Sequence, residues 1–297
     1  MIDFVRLRYI NKQNIESFVC DRENFDKLHA VLEFHSGEIE YPFTAKIGCM
    51  DIRITDKMAY VKNSIHKLYN ELNGEGNHNY NDFNYSALCE AINYLDTKLI
   101  DLRKTRLTQL EFGLNIKLPV PAEYIIKQNI VLHKLKLHNH YEKFNGKGEY
   151  KQFDYSNYYL KIYDKAKQFK LKENIIRIEL KYKNSKGFNA LGIHNVHDLK
   201  SKALLQNLFN DLLKRFDELT IVDGIPNDSK ITLKEKNELN TYLSYNYWNR
   251  YADRRIRNNK SKDIIAFESL LIKNDLLKTK QFLRTSLIEK FNELLNN

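Results

Sequence analysis

Cysteine is scarce in this chain, and the few cysteines present argue against two kinds of protein. The three residues Cys20, Cys49 and Cys89 are odd in number and far apart, and none belongs to a Cys-x-x-Cys pair. A disulfide framework and a cysteine-ligated zinc site are therefore both disfavoured. Long hydrophobic runs are absent as well, since none approaches the roughly 18 residues that a membrane-spanning helix needs.

The N-terminal segment MIDFVRLRYI lacks the apolar stretch and the cleavage site of a signal peptide. Hydrophobic residues make up 42% of the 297 residues, which is enough for a packed core and excludes a wholly disordered chain. The length predicts one or two domains. We therefore expect a soluble, basic, cytoplasmic protein with no membrane partner.

Motifs of several enzyme classes are missing too. Gly187 and Gly192 have the spacing of a P-loop, but Ile193 and His194 follow where Lys and then Ser or Thr would be required. A fused ATP-driven helicase is therefore not expected. The chain also has no His-x-x-Arg box of a tyrosine recombinase, no His-Glu-x-x-His and no Gly-x-Ser-x-Gly.

Positive charge is concentrated in the middle of the chain. The formal net charge is +10, and residues 127–186 contain 14 Lys and one Arg against six acidic residues. Three histidines and a run of tyrosines interleave with these cations. Such a region suits a phosphate backbone with unstacked bases, although a solvated lysine-rich surface has the same composition. A second basic cluster, at residues 250–262, is expected on a C-terminal helix or its flanking loop.

Short alternating runs predict strands up to about residue 190, and Leu-rich amphipathic patterns predict helices after it. The predicted strands are 29–35, 37–47, 51–61, 107–118, 130–140, 150–153, 158–164 and 174–183. The predicted helices are 85–102, 122–129, 199–219, 233–242, 263–271 and 277–295. The fold class is therefore α+β: an antiparallel sheet covered by helices, in a domain at 1–190. A helical region at 191–297 follows, for DNA binding or oligomerisation.

Four of the predicted strands have one apolar and one polar face, because side chains in a strand alternate between sides. The polar faces carry Gln109, Glu111, Gly113 and Asn115; Lys134, Lys136, His138 and His140; Tyr159, Lys161, Tyr163 and Lys165; and Arg177, Glu179, Lys181 and Lys183. If these strands share a sheet, one side is a core and the other collects carboxylates, imidazoles, amines and phenols. An ordinary half-hydrated antiparallel sheet also explains the alternation, with Glu111 and Glu179 in cross-strand ion pairs.

The polar set contains groups that could act on a phosphodiester. Carboxylates and a histidine are ligands that suit Mg²⁺ or Mn²⁺, and a metal so held can polarise a phosphate. Tyr163 could attack phosphorus, but a free phenol has a pKa near 10 and is a poor nucleophile at neutral pH. Lys161 and Lys165, two residues away on either side, would favour the phenolate and bind the scissile phosphate.

Three segments of the sequence resemble a known family. LTQLEFGLNI at 107–116, LKIYDKAKQF at 160–169 and NIIRIELKYK at 174–183 occur in the order found in rolling-circle replication initiators. The segments are most similar to the phage and plasmid replication proteins related to the filamentous-phage gene II product. The opening MIDFVRLR and the segment LGIHNVHDL at 191–199 fit the same group, so the resemblance covers most of residues 1–200.

The resemblance implies an enzyme that nicks one origin strand and keeps the 5′ phosphate on a tyrosine, which falls on Tyr163. The acidic residues of the first and third segments fall on Glu111 and Glu179. Many such enzymes have a His-hydrophobic-His metal pair; here His138 and His140 have the spacing, with a polar Asn between them. The implied metal is Mg²⁺ or Mn²⁺.

The sequence therefore predicts a metal-dependent DNA-nicking and strand-transfer enzyme that initiates rolling-circle replication. Its partners would be origin DNA, duplex and single-stranded, together with a host helicase and DNA polymerase; a homodimer is left open. The residues expected to contact DNA are Lys134, Lys136, Tyr159, Arg177, Lys181, Arg250, Arg254, Arg255 and Arg257. Tyr159 competes with Tyr163 as the nucleophile. A non-catalytic DNA-binding replication or copy-control protein and a single-stranded RNA binder are the alternatives.

Overall fold

A large antiparallel sheet organises the protein. The computed structural model describes residues 1–25, 27–226, 230–252 and 259–297. Nine strands pair in the order β2-β3-β4-β5-β1-β6-β10-β9-β8, and β11 pairs with β7 in a separate two-stranded sheet. The strands are β1 Ile2–Tyr9, β2 His29–Leu32, β3 Ile39–Ile47, β4 Met50–Ile54, β5 Ala59–Ser64, β6 Thr105–Lys117, β7 Ile130–His133, β8 Tyr150–Asp154, β9 Tyr158–Asp164, β10 Ile175–Tyr182 and β11 Leu219–Ile221.

Helices lie between and after the strands of this sheet. They are α1 Lys12–Cys20, α2 Ile65–Leu72, α3 Tyr85–Lys98, α4 Ala122–Tyr124, α5 Lys165–Gln168, α6 Ser185–Asn189, α7 Lys202–Asp217, α8 Leu233–Leu243, α9 Tyr245–Asn249, α10 Lys260–Lys273 and α11 Lys278–Asn296. A π-helical turn at Ile125–Asn129 extends α4. Among the described helices, none combines the length and the apolar character that crossing a bilayer demands. The α+β class, with a large antiparallel sheet and C-terminal helices, is confirmed.

The alternation predicted for β6, β9 and β10 is present in the sheet. Leu110, Phe112 and Leu180 point into the main core, where the Phe112 ring lies 6.3 Å from Phe291 of α11. Glu179 is the neighbour of Leu180 in β10 and therefore points to the opposite side of the sheet. Lys161 of β9 is opposite Glu179 and shares that side, because opposed residues in antiparallel strands share a face. The sheet therefore has one face packed against helices and one face that carries polar groups.

The first strand was not predicted, although it lies at the centre of the sheet. β1 pairs with β5 on one side and with β6 on the other. Val5 and Leu7 are fully buried on the helical side, whereas Arg6 and Arg8 lie on the polar side. This position brings the N-terminus of the chain next to the strands that carry the predicted site residues.

The predicted strand at 130–140 is wrong. Only Ile130–His133 is a strand, and it pairs with β11 outside the large sheet. Lys134 and Leu135 have φ angles of 50° and 61°, a left-handed turn that ends the strand. Consequently Lys134, Lys136, His138 and His140 do not lie on the polar face of the nine-stranded sheet.

The C-terminal helices contribute to the core of the sheet. Leu208 and Leu212 of α7, with Leu287 of α11, belong to the same buried cluster as the strands. A second, smaller cluster around Trp248 and Phe267 joins α8, α9 and α10 to β7. Residues on both sides of position 190 thus share one hydrophobic core.

Candidate active site on the polar face of the sheet

Three carboxylates converge on the polar face. Asp3 of β1, Glu111 of β6 and Glu179 of β10 each offer an oxygen within 4.8 Å of the others. Their exposed fractions are 6%, 9% and 1%, so the group is enclosed rather than solvated. Within the described ranges, this is the one set of three or more His, Cys, Asp and Glu side chains close enough to share a metal ion.

Cationic side chains already neutralise these carboxylates. The Lys161 amine lies 3.2 Å from Glu111 Oε1 and 3.1 Å from Glu179 Oε1, so it bridges the two acids. Arg177 donates from Nε to Glu179 Oε2 at 2.7 Å, and its Nη2 lies 3.7 Å from Asp3 Oδ2. A buried charge needs such partners, because an isolated one would cost several kcal/mol.

The three acids differ in how readily they ionise. Burial and the neighbouring Glu179 charge raise the pKa of Glu111. Burial opposes ionisation of Glu179 as well, but Lys161 and Arg177 outweigh it and hold its pKa below the ordinary value. For Asp3, burial is likewise outweighed by Arg177 and Lys165, which lower its pKa. Protons therefore enter the cluster first at Glu111.

Asp3 was missed by the sequence reasoning because a register shift brings it to this face. The pairing of β1 with β6 shifts between Ile2 and Val5, so the simple alternation of the strand does not hold at Asp3. Ser64 donates to one Asp3 oxygen and the Asn79 amide donates to the other, at 2.5 Å in the second case. The only sign of this role in the sequence is that Asp3 is a polar residue in an otherwise alternating run.

Gly113 makes room for the cluster. A Cβ at this position would lie 2.7 Å from the Ile178 carbonyl oxygen and 2.8 Å from the Glu179 Cβ. The backbones of β6 and β10 could not then approach as they do. The glycine in the segment LEFGLN thus has a structural role beside Glu111 and Glu179.

Tyr163 lies on the same face, at the enclosed end of the cluster. It is opposite Arg177 of β10 and Tyr150 of β8, and it is 5% exposed. The Phe144 ring lies 5.0 Å from it and the Tyr150 ring 6.1 Å. Burial, and then the Glu179 charge, raise the pKa of Tyr163 well above 10, so its phenol is protonated at neutral pH.

Lys165 is not on the strand as predicted, but begins the short helix α5. Asp164 caps this helix, and the Lys165 amine turns inward to donate to Asn79 Oδ1 at 2.7 Å. The amine lies 5.6 Å from the centre of the Tyr163 ring. Burial and the nearby Arg177 lower the pKa of Lys165 to about 7, so a large share of it is neutral near physiological pH.

The proton lost by Lys165 predicts a pH dependence of stability. Between about 7 in the folded protein and 10.5 in the unfolded chain, only the unfolded chain keeps this proton, so stability rises with pH. The stability that this difference in protonation adds is complete above pH 10.5 and is lost as the pH falls toward 7. We expect the Lys165→Met variant to lack this rise when the free energy of unfolding in urea is measured at both ends of the range.

The matched control is Lys167→Met, which removes a 57%-exposed lysine from the same helix. This variant should keep the wild-type dependence on pH. An identical rise in wild type and Lys165→Met would show that Lys165 has an ordinary pKa in the folded protein.

The opposite end of the cluster is open to solvent. Lys181, with a side chain 30% exposed, lies 2.9 Å from Glu111 Oε1. Tyr159 is opposite Lys181 and half-buried, and the Lys183 amine lies 4.7 Å from its ring centre. The competing tyrosine is therefore the more accessible of the two.

The two predicted histidine ligands lie together, but not with the carboxylates. The rings of His138 and His140 are 4.2 Å apart and line a cavity of about 390 Å³ with Phe144 and Tyr150. Burial lowers the pKa of His138 to about 4, so its imidazole is neutral. Through the same Phe144 and Tyr150 rings, the histidine cavity adjoins Tyr163.

The residues predicted to contact DNA are dispersed. Lys134 binds Glu218 at 3.1 Å, and Lys136 is exposed beyond the end of β7. Arg177 is 3% exposed and committed to the acidic cluster, which leaves it facing no solvent. Arg250 is 2.7 Å from Asp263. Arg254, Arg255 and Arg257 lie outside the described residues.

The chain was compared with family models, curated proteins and solved structures. None of the three comparisons gave a match.

Proposed function

We propose that this protein is a metal-dependent enzyme that nicks and rejoins one strand of an origin DNA and initiates rolling-circle replication of a plasmid or phage. The observation that carries the proposal is the convergence of Asp3, Glu111 and Glu179 on the sheet face that also holds Tyr163. The carboxylates come from strands far apart in sequence, and a tyrosine, a lysine and an arginine adjoin them. The resemblance of three sequence segments to the initiator family supports the same activity.

The donor set fits a divalent metal ion of the Mg²⁺ or Mn²⁺ type. All three groups offer carboxylate oxygens, which these hard cations prefer. The Lys161 amine, which bridges Glu111 and Glu179, shows that this position already favours positive charge. A bound ion would supply charge that stabilises the phosphate oxygens during transfer, and it would compete with Lys161 for the carboxylates.

The chain's own residues can perform the transfer. The Tyr163 oxygen attacks phosphorus, a P–O bond forms to the 5′ phosphate, and the bond to the 3′ oxygen breaks, leaving a 3′-OH. The phenol must lose a proton and the departing 3′ oxygen must gain one. The Lys165 amine, 5.6 Å from the centre of the Tyr163 ring, would carry this proton between them after moving within hydrogen-bonding distance of the phenol. Lys161 would then contact the phosphate. Rejoining is the reverse transfer, so cleavage consumes no ATP.

The DNA would approach from the open end of the cluster. The partly exposed Lys181 lies there beside Glu111, whereas Phe144 and Tyr150 cover Tyr163 at the closed end. Exposure of Tyr163 therefore requires movement of these two rings. The half-buried Tyr159 needs no such movement, which is the observation that keeps it as the rival nucleophile.

The proposal is tested with a supercoiled plasmid that carries the cognate origin. We expect relaxation to the nicked circle with Mg²⁺ or Mn²⁺, none in EDTA, and a loss of at least about a hundredfold in rate in Glu111→Gln. Gel mobility of the plasmid is the measurement. Binding of the plasmid without metal-dependent nicking would contradict the proposal.

That contrary result would favour the second candidate, a non-catalytic DNA-binding replication or copy-control protein. The observation in its favour is that Lys161 and Arg177 already satisfy the carboxylates without an ion. In that case the cluster would be a structural ion-pair network inside a basic protein.

A further inference from the structure

A second charged surface lies on the same face of the sheet, next to the carboxylates. We call it the basic band and define it by six cationic side chains from β3, β4, β5, β1 and β6. These are Arg6, Arg8, Lys46, Arg53, Lys62 and Arg106. None of them was among the residues that the sequence reasoning assigned to DNA.

The strand register aligns these side chains into two rows that cross the sheet. In one row, Arg53 is opposite Tyr60, Tyr60 is opposite Arg8, and Arg8 is opposite Arg106. In the other, the chain of opposed pairs runs from Lys46 through Asp51 and Lys62 to Arg6 and Gln109. Side chains opposed in this way share a face, so both rows point to the polar side.

The charge of the band is poorly neutralised. Within the rows, as far as the chain is described, the one carboxylate is Asp51, which lies 3.8 Å from Lys46. Their side chains are 37% and 73% exposed, so the pair contributes little. The Arg6 guanidinium lies 4.2 Å over the Tyr60 ring, and its buried Nε has no hydrogen-bond partner. This donor of Arg6 is therefore not committed to an acceptor within the protein.

The part of the band on β3, β4 and β5 is concave. A cavity of about 630 Å³ opens over Lys46, Arg53 and Lys62, and Lys27 and His29 form part of its wall. Strands lie about 4.8 Å apart, so the band from β3 to β6 is about 19 Å long.

The Phe4 ring connects the band to the acids. Phe4 is opposite Ser64 on β5, and the Lys181 amine lies 5.4 Å from the Phe4 ring centre. The same amine is 2.9 Å from Glu111. A strand lying along the band would therefore arrive at the open end of the cluster.

We propose that the basic band binds the stretch of single-stranded DNA that adjoins the reacting phosphate. The inference rests on the proposed function for the identity of the strand as DNA. Cations suit the phosphates, whereas the Tyr60 and Phe4 rings between them can stack only on bases that are not paired. The combination favours an unpaired strand over a duplex.

The test measures binding of a fluorescent 20-nucleotide DNA strand in EDTA, where metal-dependent nicking cannot occur. The variant replaces Arg8, Arg53 and Lys62 with Gln. We expect its affinity at low salt to fall at least about tenfold, and the slope of log affinity against log salt to fall by roughly 2, because each contact contributes about 0.7 for a single strand. Fluorescence anisotropy between about 50 and 200 mM salt gives both quantities.

The matched control removes the same charge from helices α7 and α8. Lys202, Lys234 and Lys236 are exposed there, and replacing them with Gln should leave the slope close to that of wild type. An unchanged slope in the band variant, or equal losses in both variants, would overturn the inference. So would a loss confined to duplex DNA, or tighter binding of an RNA strand of the same sequence.

The readout separates the inference from the proposed function. If the protein never nicks DNA but the band variant still loses single-strand binding, the band is supported and the enzyme proposal fails. If nicking occurs and the band variant binds normally, the band alone is wrong.

Discussion

The Tyr163→Phe variant is expected to form no covalent complex with origin DNA. Only the phenolic oxygen of Tyr163 can attack phosphorus in the proposed reaction, and phenylalanine keeps the ring that packs against Phe144 and Tyr150. The adduct that resists SDS should fall at least about a hundredfold, whereas DNA binding in EDTA stays within about twofold of wild type. The measurement is an SDS gel of labelled origin DNA incubated with Mn²⁺.

The matched control is Tyr159→Phe, four residues earlier on the same face of β9. This variant should retain the adduct, because its phenol is not the attacking group. An adduct that survives in Tyr163→Phe and disappears in Tyr159→Phe would assign the nucleophile to the more exposed tyrosine. An adduct in both variants would exclude each of them.

The Glu179→Gln variant is expected to destabilise the protein by about 3–5 kcal/mol. Glu179 is 1% exposed and accepts from Arg177 and Lys161, so its removal leaves two buried cations without their main partner. Urea denaturation gives the free energy of unfolding. The control is Glu173→Gln, an exposed carboxylate paired with Lys117, which should cost under about 1 kcal/mol.

The same residue predicts a response to acid. The pKa of Glu179 is lower in the folded protein than its ordinary value of 4.5, so its contribution to stability is complete above that value. The contribution is lost as the pH falls below about 4.5 toward the folded pKa. Glu179→Gln should therefore lose less stability than wild type between pH 5 and 3. Parallel acid profiles would show that the ion pairs around Glu179 contribute nothing.

Local alternation predicted much of the polar face. Glu111, Lys161 and Glu179 were assigned to one side of their strands because a period of two is a property of each strand alone. The register that aligns them is not local. The insertion of β1 between β5 and β6, and with it the arrival of Asp3, depends on pairing between segments about a hundred residues apart.

Alternation also misled where the backbone turns. Residues 130–140 alternate like a strand, yet the left-handed turn at Lys134 and Leu135 ends β7 and moves His138 and His140 away from the sheet. Nothing in the side-chain pattern reports the sign of φ at non-glycine residues.

The burial of the site could not be predicted either. The polar face was expected to be hydrated, but Asn79 covers one end of the cluster and Phe144 lies against Tyr163. Both come from loops, whose paths are set by tertiary contacts that no strand pattern encodes.

The claim that the carboxylates form a metal site beside a nucleophilic tyrosine is tested most directly by anomalous diffraction from crystals soaked in Mn²⁺. We predict one strong peak within about 2.0–2.6 Å of oxygens from Asp3, Glu111 and Glu179, with the Lys161 amine withdrawn from its bridging position. No peak there, with Lys161 still between Glu111 and Glu179, would contradict the account and leave a structural ion-pair network.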